Sequence, residues 1–140
     1  MSVRNIVKGY IGPNNPDTSG QVTLPLSFMG GFSATVQATF SKQDHMITLT
    51  IPPIMGVPTS SVQPSATLPT GYGGMFGLTQ SSLIYVTSFD STGTTTGTYP
   101  GAFTVTSTYI LLRSSGAFVA DGSTTQGSPI TISITYACDA

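Results

Sequence analysis

The chain has no glutamate and no tryptophan, one histidine, one cysteine and four cations in 140 residues. Each shortage removes a class of function. Charged residues make up 6 % of the sequence, against roughly 25 % in an average soluble domain. Such a surface has little long-range field, so it is not expected to capture nucleic acid or anionic lipid. Zinc sites draw on several His or Cys side chains, and the chain offers only His45 and Cys138. A lone cysteine also excludes an internal disulfide; Cys138 reads as a free thiol, with a bridge to a second chain as the alternative. No run is long and apolar enough to span a bilayer, and "MSVRNIVKGY" lacks the apolar core of a signal peptide. There is no N-glycosylation sequon. Synthesis in a cytosol without Sec export is therefore expected, with no membrane insertion.

The carboxylates are equally sparse. Asp17, Asp44, Asp90, Asp121 and Asp139 are scattered through turn-like segments, whereas glycoside hydrolysis uses two carboxyls facing one bond. The stretches Asp90-Ser91-Thr92-Gly93 and Asp121-Gly122 read as turns, with a carbonyl-rich calcium loop as the minor alternative. The glycine-rich "GYGGMFG" (71–77) lacks both the lysine and the following helix of a phosphate cradle. His45 sits in "SKQDH" beside Asp44 and near Lys42. A catalytic arrangement would need Asp44 to orient His45 towards a nucleophile such as Ser41. Neighbouring residues in a turn point apart, and a general base needs its partners within about 3 Å. The segment is a four- or five-residue hairpin loop on this reading, and the chain is expected to hold no catalytic, cofactor or metal residues.

What the sequence does have is hydroxyls: 23 Thr and 18 Ser. Threonine is polar without charge, and its branched Cβ suits a pleated sheet. Period-two alternation runs through the chain. "ITISITY" sets Ile130, Ile132, Ile134 and Tyr136 against Thr131, Ser133 and Thr135. "ATVQATF" sets Ala34, Val36, Ala38 and Phe40 against Thr35, Gln37 and Thr39, and "MITLTI" turns Ile47, Leu49 and Ile51 inwards. This is the pattern of sheets with one buried face. "QVTLPLSF", "SSLIYVTSF", "GAFTV", "TYILLR" and "GAFVA" add further strands, and Pro25 places the first of these at an edge or bulge. "LIYV" and "YILL" are apolar on both faces, which predicts central or interface strands. "GPNNPDTSG", "MGG", "PTGYGG", "DSTGTTTG" and "DGSTTQGSP" read as turns. Residues 52–80 read as a long connection with a short strand near Ser65–Leu68. About eight strands without helix predict an all-β antiparallel sandwich or jelly roll, with residues 1–20 as an arm or docking segment and 21–140 as one domain.

Tyr72, Phe76, Tyr99 and Tyr109 lie in or near loops, where aromatics can stack on sugar rings or anchor protein interfaces. The plainer reading is that they plug the ends of the sandwich or pack between subunits.

The order of segments resembles the head domains of viral and phage fibres and the heads on collagen-like proteins of giant viruses, domains of TNF/C1q-like type. The resemblance rests on "ATFSKQDHMITLTIPPIMG", "SATLPTGYGG", "LIYVTSFDSTGTTTGTYPGAFTV" and "ITISITYACDA", and it covers residues 20–138. It carries no Gly-X-Y collagen segment and no coiled-coil stalk. It implies jelly-roll subunits, commonly trimers, that bind a host glycan or receptor or cap a virion feature alongside other virion proteins. The expectation is thus a non-enzymatic structural or adhesive virion protein, a fibre head or a capsid decoration protein. The alternative is a monomeric carbohydrate-binding, lectin-like module.

Overall fold

The computed structural model describes residues 21–59, 63–115 and 123–139. The arm 1–20, the "GAFVA" strand and Asp121-Gly122 lie outside the described residues. No helix occurs among those described; the chain forms ten strands in two antiparallel sheets. They are β1 (Gln21–Phe28), β2 (Ala34–Gln43), β3 (Met46–Ile51), β4 (Ile54–Gly56), β5 (Ser65–Thr67), β6 (Gln80–Phe89), β7 (Thr95–Val105), β8 (Tyr109–Ser114), β9 (Thr125–Ser128) and β10 (Ile132–Ala137). The four-stranded sheet has the order β10-β3-β2-β1, and the six-stranded sheet the order β4-β9-β6-β7-β8-β5. This is the β-sandwich that the alternation predicts.

The core lies between the sheets. Leu26, Phe28, Ala38, Phe40, Ile47, Leu49, Ile51, Ile134 and Tyr136 come from the four-stranded sheet. Ile54, Ala66, Ile84, Val86, Phe103, Val105, Ile110 and Leu112 meet them from the six-stranded sheet. Phe28 and Phe103 touch across the sandwich, with ring centroids 6.4 Å apart. Because strand side chains alternate, each of these inward residues leaves its neighbours on an outer face. Pro25 lies in β1, an edge strand, where a residue without an N–H is tolerated.

Four details differ from the sequence reading. The β2–β3 hairpin loop has two residues, Asp44 and His45, because pairing continues to Gln43 and Met46. Asp44 takes φ 53°, a left-handed conformation that Asp tolerates better than most residues. Ile130 does not join the inward row of β10; it is 62 % exposed, since the strand starts only at Ile132. Part of "DGSTTQGSP" is strand β9, with Gln126 and Ser128 buried. Its Gly127 has φ 149°, and a Cβ there would run into the Ile54 carbonyl oxygen on β4. Composition marked a turn where close backbone approach makes a strand pair. The fourth detail is β4 itself, a three-residue strand inside what reads as a connection.

Candidate functional site

The four aromatics singled out by sequence do not share a platform. Tyr72 is half-buried against the core, its ring centroid 5.2 Å from that of Phe40, and its carbonyl accepts a 2.7 Å hydrogen bond from the Tyr136 hydroxyl. Burial, with a smaller contribution from Cys138 nearby, raises the Tyr136 phenol above the ordinary tyrosine range. Tyr99 is half-buried on β7, its ring folded over the backbone of Gly97. Phe76 and Tyr109 are the two that reach solvent, and each lines a different cavity.

The first cavity is at one end of the sandwich. It has a volume of about 260 Å³ and is lined by Lys42, Gly71, Gly73, Gly74, Phe76, Ser107 and Asp139. Its charges already have backbone partners. The Lys42 Nζ donates to the Gly71 carbonyl (3.1 Å), and Asp139 Oδ2 accepts from the Phe76 amide (3.2 Å). Gly73 lies so close to the backbone of Ser107 that a Cβ would collide with the Ser107 carbonyl oxygen. Met75 N–H donates to Ala137 (2.9 Å), and the Gln80 side chain exchanges two bonds with Ala137. These contacts fasten the 69–79 connection to the C-terminal strand. Next to it, Cys138 is buried and its amide donates to the His45 carbonyl at 2.7 Å. The Lys42–His45 segment is thus hairpin and latch, as the turn reading requires, and burial withdraws the Cys138 thiol from a second chain.

The second cavity is larger and its polar groups are differently used. Edge strands β1 and β5 meet at a single bridge, where Met29 and Ser65 exchange two backbone hydrogen bonds of 2.9 Å. Beside that seam the outer surfaces form a groove of about 500 Å³, lined by Pro25, Ser27, Met29, Ser65, Ala66, Thr67 and Tyr109. That volume falls within the range of small-molecule sites. No lining residue is charged. Tyr109 is 43 % exposed, and Thr67 is its direct cross-strand partner. The turn before β8 fixes the Tyr109 backbone: its amide donates to Thr106 Oγ1 (3.2 Å) and its carbonyl accepts from the Thr106 amide (2.9 Å). The hydroxyls of Tyr109, Ser65 and Thr67 make no hydrogen bond to any described residue. The groove therefore presents one fixed aromatic face, an apolar floor and several hydroxyls that can both donate and accept.

Sequence reasoning picked out Tyr109 but missed Met29, which is 62 % exposed, and the Ser65–Thr67 wall. The groove arises only where two distant edges meet, and no local pattern encodes that meeting.

No family model matches the chain, and no curated protein does. Among solved structures, the crystal structure of a reovirus attachment protein, sigma1, in complex with alpha-2,3-sialyllactose aligns with 100 % of this chain and 82 % of that one. The TM-score is 0.56 and the identity 13 %. At that identity the likeness is one of fold alone.

Proposed function

We propose that this chain is a non-enzymatic virion surface protein that associates with copies of itself and holds a host-cell glycan in the Tyr109 groove. The observation that carries the reading is the groove's chemistry: an exposed tyrosine face beside Ser65 and Thr67 hydroxyls that have no partner among the described residues, with no charge in the lining. A sugar ring presents C–H groups on one face and hydroxyls at its rim. An amphipathic aromatic matches the first and uncharged donor–acceptor groups the second. The full-length fold likeness to a protein that was crystallised with a sialylated glycan supports the same class of ligand. The expected state is a trimer located on the virion, with other virion proteins as neighbours and no cofactor. A fibre head or spike fits this arrangement, and so does a capsid decoration protein.

The test is a glycan array probed with the wild-type chain, Tyr109→Ala and Phe76→Ala. Binding should be lost in Y109A and kept in F76A, with all three giving the same circular dichroism spectrum. A folded wild type that binds no glycan, or a Y109A protein that binds as well as wild type, removes the groove as the site.

A further inference from the structure

On the outer face of the six-stranded sheet, Leu83 is 90 % exposed and Tyr85 is 67 % exposed, two positions apart on β6. Their direct partners on β7 are Ala102 and Pro100, so four apolar residues form one contiguous block in the middle of the sheet. Isolated exposed apolar residues need no explanation, but a contiguous patch marks an interaction surface. Arg113, opposite Ala102, is the only charged residue among the described strand positions of this face.

The shape of the face identifies the occupant. Beside the protruding Leu83 is a hollow of about 230 Å³, lined by Pro100, Gly101, Ala102, Arg113, Ser114 and Ser115. On this face the hollow follows from the small side chain of Ala102; Gly101 beside it faces the core, where a Cβ would meet buried Val86. A knob and a hollow set side by side let Leu83 of each copy enter the hollow of the next, a head-to-tail contact that closes as a ring where the rotation allows. The groove residues Thr67 and Tyr109 lie at the β5–β8 edge of this same face. The part that leaves them clear, over β4, β9, β6 and β7, is on the order of 400 Å² from ordinary strand spacing and rise, a contact of the small class. With a net charge of −1, copies repel each other weakly.

We infer that copies of this chain associate through the outer face of the six-stranded sheet, Leu83 of one copy entering the hollow beside Ala102 of the next. The inference rests on the self-association in the preceding reading and names the surface responsible for it. The experiment is the absolute mass of the full chain by light scattering after size exclusion, at low and high salt. It uses wild type, Leu83→Asp, Ala102→Arg and, on the opposite sheet, Gln37→Asp. Wild type and Q37D should run as the same oligomer. L83D and A102R should run as monomers with unchanged circular dichroism, their association weakened by at least about 30-fold, the loss typical of an interface hot spot. If L83D or A102R keeps the wild-type mass, this face is not the interface, although self-association stands. If the wild type is itself a monomer, self-association and the interface fall together, and the groove test with Y109A remains independent of both.

Discussion

The two sheets bury similar inner faces and present opposite outer ones. On the four-stranded sheet the outer residues are hydroxyls in cross-strand rows. One row runs Thr23, Thr39, Thr50, Ser133, and the next runs Gln21, Ser41, Thr48, Thr135. Neighbours within these rows bond at 3.1–3.3 Å, as in Thr23–Thr39, Thr50–Ser133 and Thr48–Thr135. Each hydroxyl can donate and accept at once, so a row satisfies itself and still faces water. On the six-stranded sheet the same strand periodicity exposes Leu83, Tyr85 and Pro100, with Ala102 half-buried beside them. A chain this poor in charge has a ready way to solvate a sheet; it uses that way across the four-stranded sheet, whereas on the six-stranded sheet pairs such as Ser81–Thr104 (3.1 Å) flank an apolar centre. The difference is what the proposed association through the six-stranded sheet would require: one face left to water and the other available to a second copy.

The largest effects should come from where the sheets are alike. Phe40 and Phe103 are fully buried on facing sheets. Phe40→Ala and Phe103→Ala should each destabilise the fold by about 3–5 kcal/mol, as expected for a large aromatic removed from a packed core. Urea unfolding measures both. A cost confined to one of them would mean that the sheets do not share a single core, and the contrast between their outer faces would then lose its common reference.

The next effect is an alkaline one and belongs to the four-stranded sheet. Tyr136 is 2 % exposed, donates to the Tyr72 carbonyl and has its phenol pKa raised, chiefly by burial. In the unfolded chain a tyrosine ionises near pH 10. The raised folded value means that stability is intact below about pH 10 and falls as pH climbs towards the folded pKa, because the unfolded state loses its proton first. Denaturation midpoints followed up that range should decline in wild type and decline less in Tyr136→Phe. Equal slopes would show that Tyr136 ionises as freely in the folded state as in the unfolded.

The hydroxyl rows give a smaller and more diagnostic test. Thr48→Ala should cost about 0.2–1 kcal/mol, the range for a cross-strand pair. Thr48→Ala combined with Thr135→Ala should cost less than the sum of the single changes, since each single change strands the other's hydroxyl. Strict additivity in this double-mutant cycle would mean that the rows are solvated side by side without coupling.

How much of this was legible beforehand follows from the range of the interaction concerned. Ala38, Phe40, Ile47, Leu49 and Ile51 read inward directly, because alternation is local and a one-residue slip would expose them all. The hairpin at Asp44–His45 was legible for the same reason. Strand β9 was not: "TQGS" has turn composition, and its strand state depends on β4 and β6 on either side. The groove at Tyr109 required β1 and β5, separated by the whole β2–β3–β4 stretch, to meet at Met29–Ser65. "LIYV" announced a two-faced apolar strand correctly, but only the sheet order shows that its second face, with Leu83 and Tyr85, is left uncovered within one copy.

The smallest predicted effect is an acid one, and it lies at the opposite sheet from Tyr136. Asp90 caps the β6–β7 turn: its Oδ1 accepts from Thr92 Oγ1 (2.6 Å), from the Thr92 amide (2.9 Å) and from the Thr94 amide (3.0 Å). These bonds favour the ionised form, led by the Thr92 hydroxyl and then the Thr94 amide, and they hold the carboxyl below its usual value. A lowered folded pKa means that the contribution is present above the unfolded value, near pH 4, and is lost as pH falls through the folded one. The group sits in a surface turn away from the core, so the loss should loosen the turn and leave the sheets standing. Hydrogen exchange at the Thr92 and Thr94 amides should therefore quicken in acid in wild type. In Asp90→Asn, whose amide oxygen can still accept these bonds, exchange should depend less on pH over the same range. If acid instead unfolded the whole sandwich through Asp90, the turn would have to be coupled to the core, and the six-stranded sheet would be the more fragile of the two layers. The bonds around Asp90 give no such coupling: all three end within four residues of it, and none reaches an inward side chain.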